Sequence, residues 1–121
     1  MELSLEEKRD FLNRYRLQQA KIKRLNEQSV INVDRKSVYE KEIIKAKRIR
    51  NAIEEGIEGL ESETETEILA QKYLCGKSLE ETAEILNYSK RQIERLHLKA
   101  LEHITLKGEI CDGQSNTSLR S

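Results

Sequence analysis

Proline and tryptophan are absent from this chain, and phenylalanine occurs only once. With four tyrosines and 36% hydrophobic residues, there is little material for a β-rich fold or a large globular core. No run is long and apolar enough to span a membrane, and the N-terminus lacks the apolar stretch of a signal peptide. A soluble protein of the cytoplasm is therefore expected. Cysteine is scarce: Cys75 and Cys111 form no C-x-x-C pair and have no histidine at zinc-site spacing. Cys75 is expected to pack as a small buried hydrophobe and Cys111 to sit in a polar tail, with no disulfide in a reducing compartment. His97 and His103 stand six apart on one expected helix, so they face different ways and cannot share a metal. His97 reads as a solvated helix position, with a DNA phosphate contact as the alternative. A Gly-rich phosphate loop, a convergent carboxylate pair and a nucleophile-base-orienter set are also missing. Neither catalysis nor a cofactor or metal is expected.

What the chain does have is charge, 36% of its residues, and with it an expected all-α architecture of long, solvent-washed helices. The richest segment runs from Ser78 to Ile104, SLEETAEILNYSKRQIERLHLKALEHI. Ser78 and Glu81 have the spacing of a capping box, in which each side chain satisfies the other's orphan amide. Ala83 is small enough for two helices to cross closely, and Ile85 and Leu86 are expected to supply apolar cover. Asn87 stands where a tight turn needs a positive φ, which Asn tolerates best after Gly. Ser89 and Gln92 form a second capping box, with Tyr88 and Ile93 spaced as a hydrophobic staple. The following helix is expected to bury Ile93, Leu96, Ala100, Leu101 and Ile104 and to show Lys90, Arg91, Gln92, Glu94, Arg95 and Lys99. Two caps, a small crossing residue and a turn residue suited to αL together predict a helix-turn-helix unit.

The segment from about Thr66 to Ile104 resembles region 4 of sigma-70-type factors, through SLEETAEILNYS followed by KRQIERLHLKALEHI. Thr82, Asn87 and Lys99 stand where such proteins tend to show Ile, Gly and Arg. The wording NYSKRQIERLHLKAL is similar to short phage and prophage proteins of Gram-positive bacteria, the ArpU-type late transcription regulators among them. That resemblance covers about a third of the chain. It implies a sigma region 4-like DNA-binding domain and transcriptional control on phage DNA in a bacterial host cell, associated with the nucleoid and with RNA polymerase as a further partner.

The remainder predicts a long helical hairpin over residues 1–61, the helix-turn-helix domain over 62–106 and a disordered tail over 107–121. Ser4 with Glu7 caps a helix expected to reach about Gln28, its stripe being Phe11, Tyr15, Ile22 and Leu25 with Gln18 interrupting. Asp34 is expected to cap a second long helix, with Val33 and Val38 as its staple and Tyr39, Ile43, Ala46, Ile49 and Ile53 as its stripe, flanked by Ile44. Gly56 and Gly59 weaken its end and suggest a flexible joint. Helices at 64–75, 79–86 and 90–105 follow, Gly76 capping the first. The hairpin acts either as a brace or as a homodimer element. Residues 54–84 carry a net −8 and residues 87–107 a net +3, which sets the basic surface on the expected recognition helix.

The expected function is sequence-specific binding of double-stranded DNA. Lys90, Arg91, Gln92 and Arg95 would reach the major groove, where Arg pairs with guanine and Gln with adenine. Ser89 and Lys99 would hold phosphates, and Glu94 would either accept from cytosine or orient a neighbouring arginine. Two rivals stay open: a phage small terminase subunit, and a module that docks on RNA polymerase without reading DNA.

Overall fold

The structure, a computed structural model, describes residues 3–106. Those residues contain helices and no strand: α1 (Leu5–Leu12), α2 (Tyr15–Ile31), a 3-10 turn (Val33–Arg35), α3 (Lys36–Glu58), α4 (Glu63–Leu69) running into a π-helical turn (Ala70–Leu74), α5 (Leu79–Leu86) and α6 (Lys90–His103). The all-helical expectation holds. Among the described residues no helix is long and apolar enough to cross a membrane. Cys111 and the expected tail lie outside the described residues.

Several local expectations are corrected. The first helix is not continuous to Gln28. Ser4 does form its capping box with Glu7, but at Asn13 and Arg14 the ladder tightens, the Arg14 amide donating to the Phe11 carbonyl at 3.0 Å. The break lets Phe11, Leu12 and Tyr15 all enter the core. Asp34 does not cap α3, because the 3-10 turn moves the helix start to Lys36 and leaves Arg35 as the flanking residue without a side-chain cap. A staple pairs the residue before the N-cap with the fourth of the helix. With that shift the spacing no longer fits Val33 and Val38, and both are exposed. Ile44 also faces solvent, one position outside the stripe formed by Ile43 and Ala46.

The core sits where the chain's two halves meet. Phe11, Leu12 and Tyr15 pack with Ala52, Ile53 and Ile57 of α3, Leu69 of α4, Tyr73 of the π-turn, and Ala100, Leu101 and Ile104 at the end of α6. Each fully buried Leu or Ile contributes roughly 1.5–3 kcal/mol, so this cluster dominates the fold. Farther out, α2 and α3 pack lengthwise, burying Ile22, Leu25, Ile43, Ala46 and the amide of Gln18. Gly56 is no joint: a Cβ there would come within 2.9 Å of Leu106 Cδ2 and 3.1 Å of the Thr105 carbonyl. The missing side chain lets α3 and the exit of α6 touch. Polar ties reinforce the same junction. The Lys8 ammonium donates to the carbonyls of Leu101 and Glu102 at 2.9 and 3.3 Å, placing positive charge at the negative end of α6.

Candidate nucleic-acid interface

Local chemistry builds the α5–α6 corner one residue at a time. Ser78 Oγ accepts from the Glu81 amide at 3.0 Å while Glu81 Oε1 accepts from the Ser78 amide at 2.9 Å. Hydrogen bonding by the Ser78 backbone amide, and then by its side chain, holds the Glu81 carboxyl below its usual range. Thr82 is buried, and its hydroxyl donates to the Ser78 carbonyl at 2.8 Å, so a hydroxyl fits a position that is otherwise apolar. Asn87 ends α5 at φ 65°, ψ 44°, in the left-handed region. The Tyr88 amide then reaches back to the Ala83 carbonyl at 2.9 Å, the six-to-one bond that closes a helix over an αL residue. Ser89 and Gln92 complete the second box, at 3.2 Å in both directions. Underneath, Ala83 meets Ile68 and Ile93, with Leu79, Leu86, Tyr88 and Leu96 packed around them. Ile85 does not join this cover. It is exposed, pointing away from the face on which Thr82 and Ala83 are buried.

The expected contact residues fall on the outside of α6. Lys90, Arg91, Gln92, Glu94, Arg95 and Lys99 are all exposed. Arg91, Arg95 and Lys99 are spaced by four, so they stack into one stripe. That stripe lies opposite the buried residues Ile93, His97 and Ala100. Among the described residues none of the three, nor Glu94, enters an ion pair or a side-chain hydrogen bond; Lys90 lies 3.4 Å from Glu80 in a solvated pair of little energetic weight. Ser89 and Gln92 differ from the rest, since each holds the other's backbone and the Ser89 hydroxyl is 3.2 Å from Gln92 Oε1. Gln92 would have to release the cap before it could take adenine in a bidentate grip. Its Nε2 remains free to donate.

His97 is not solvated, contrary to expectation. It is buried, stacked on Tyr73 with ring centroids 5.8 Å apart, and its Nε2 lies 2.8 Å from the Tyr73 hydroxyl. Burial, followed by the charges of Lys72 and Arg9, lowers its pKa to about 4. Burial likewise raises Tyr73 to about 12, so both rings are neutral near pH 7. The helical period carries the missed signal: His97 stands four residues from both Ile93 and Leu101 and belongs to their face. Six residues on, His103 Nδ1 lies 2.9 Å from the buried Glu65 carboxylate, which takes one residue of the acidic stretch out of solvent. Cys75 is exposed rather than buried. It ends the π-turn, and its carbonyl accepts from the Arg16 guanidinium at 2.8 Å. Gly76 follows at φ 78° with Arg16 lying over it, so the expected glycine cap is present and covered by α2.

Among the described residues no three His, Cys, Asp or Glu side chains converge as a metal group. No protein-family model, curated protein or solved structure matches this chain.

Proposed function

We propose that this chain is a sequence-specific DNA-binding transcription regulator of phage or prophage type, a binding protein rather than an enzyme. In this reading an N-terminal helical hairpin (1–61) supports a sigma region 4-like helix-turn-helix unit (62–106). Helix α6 enters the major groove N-terminus first. Arg91 and Arg95 read base edges, with Lys90, Gln92 and Glu94 beside them, while Ser89 and Lys99 position the helix on phosphates. RNA polymerase and a second copy of the chain are its further partners. The observation that carries the reading is the bare Arg91–Arg95–Lys99 stripe on a helix whose opposite face is locked by Ile93 and Ala100. Rigid presentation of a few side chains is what major-groove reading requires.

Selection from a random duplex pool at physiological salt tests it. The expected result is an enriched motif that the double variant Arg91→Ala, Arg95→Ala loses, each arginine costing about 1–3 kcal/mol at its own base position. Binding with no enrichment would remove sequence reading, and no binding to duplex would leave only a protein partner for this face.

A further inference from the structure

Residues 14–50 hold twelve Lys and Arg against four Asp and Glu, a net charge of +8. That exceeds the charge around α6, and it is carried by α2, the first part of α3 and the turns that flank them. Several of these cations are engaged or scattered: Lys21 and Lys45 approach Glu42 at 3.7 and 3.4 Å, and Arg24 donates to Gln28. Three fall in line. Lys41, Lys45 and Arg48 follow the i, i+4, i+7 spacing of one helix face and are all exposed. The same line continues through Ala52 and Gly56, which are covered: Ala52 is buried in the main core, and residues 104–106 press on Gly56. One face of α3 is thus roofed by the exit of α6 at one end and bare and basic at the other. Lys41 and Arg48 enter no ion pair among the described residues, and Lys45 shares its one partner, Glu42, with Lys21.

We propose that Lys41, Lys45 and Arg48 form a second contact with duplex DNA that grips phosphates without reading bases. The inference rests on the DNA-binding reading above and adds a surface to it. A rise of about 1.5 Å per residue spreads the three cations over about 10 Å. Their long, flexible side chains can each reach a separate phosphate of a duplex, whose charges recur every 3.4 Å or so per strand along the axis. Docking this stripe against its own copy would set three cations against three, which opposes a symmetric dimer here. A polyanion fits it.

The test is the triple variant Lys41→Gln, Lys45→Gln, Arg48→Gln, its folding checked by circular dichroism. Its affinity for a fluorescent 30-base-pair duplex is followed from 50 to 200 mM salt. Neutralising three phosphates contributes about 2.7 to the slope of log affinity on log salt. The wild-type protein should therefore lose about 40-fold more affinity than the variant over that range, with the selected motif unchanged. A folded variant with the wild-type slope overturns the proposal. So does a changed motif, which would make the stripe a base reader. Self-association at low salt that the variant abolishes, with its DNA slope intact, would also overturn it and assign the stripe to the acidic segment of a second copy. Duplex binding that enriches no motif yet still shows the reduced slope would keep the stripe and remove the reading role of α6.

Discussion

Asn87 and His97 mark what a single residue discloses and what it conceals. Asn87 was legible because few residue types tolerate φ near 65°, and two capping boxes fixed where the turn had to fall. Asn87→Ala should cost about 1 kcal/mol through the left-handed strain on its Cβ, and Asn87→Gly should be close to neutral. Urea denaturation of the two variants measures the difference; equal stabilities would place the αL requirement elsewhere. His97 was concealed by its polarity, since a histidine on a basic helix suggests solvent. Its burial has a signed consequence for pH. In the fold its pKa is about 4, against an ordinary value of 6.5, so below pH 6.5 the unfolded chain takes a proton that the folded chain refuses. Stability from this group is therefore fully present above pH 6.5 and lost as pH falls toward 4, by about 3 kcal/mol at the limit. Urea midpoints across pH 7 to 4.5 should fall more steeply for the wild-type protein than for His97→Phe. Parallel curves would mean that another group sets the acid limit.

At the scale of the element, the S-x-x-E/Q pattern identifies the three capping boxes, whereas Ser62, which caps α4 by accepting from the Glu65 amide, was not anticipated. Ser4, Ser78 and Ser89 each form the expected box. Asp34 failed because a 3-10 turn moved the helix start beyond it, and nothing local in VDRKS announces that shift. The break at Asn13–Arg14 and the π-turn at Ala70–Leu74 were equally unreadable, because both adjust the chain to partners far away in sequence. Gly56 shows the same limit. Glycine near a helix end suggests flexibility, yet here it is the contact between α3 and the exit of α6. Gly56→Val should destabilise by about 1–3 kcal/mol through overpacking against Leu106 and the Thr105 carbonyl. A flexible joint would instead be stabilised by the substitution, through reduced freedom of the unfolded chain. Thermal unfolding of this variant separates the two by the sign of the change.

On the scale of the whole molecule, a linear reading divides the chain at residue 61, whereas the main core is shared across that point. Leu12, Ile53 and Ile57 from one side lie in the same cluster as Leu69, Tyr73, Leu101 and Ile104 from the other. Periodicity identifies which face of a helix is apolar but not which distant helix covers it, so this shared core was invisible in the sequence. Residues 62–121 alone keep the small Ile68, Ala83 and Ile93 cluster but lose Phe11, Leu12, Tyr15, Ala52, Ile53 and Ile57 from the main core, and about 60 residues seldom bury enough surface to stand on what is left. Residues 62–121 expressed by themselves should therefore show no cooperative melt, with weak dispersion in their amide spectrum. The full chain should unfold in a single transition, its far-ultraviolet dichroism and tyrosine fluorescence changing together. In that case the α2–α3 pair serves as a structural condition for presenting α6, whatever else its basic face binds. A fragment that melts cooperatively would make the corner a domain of its own and reduce the hairpin to an appendage.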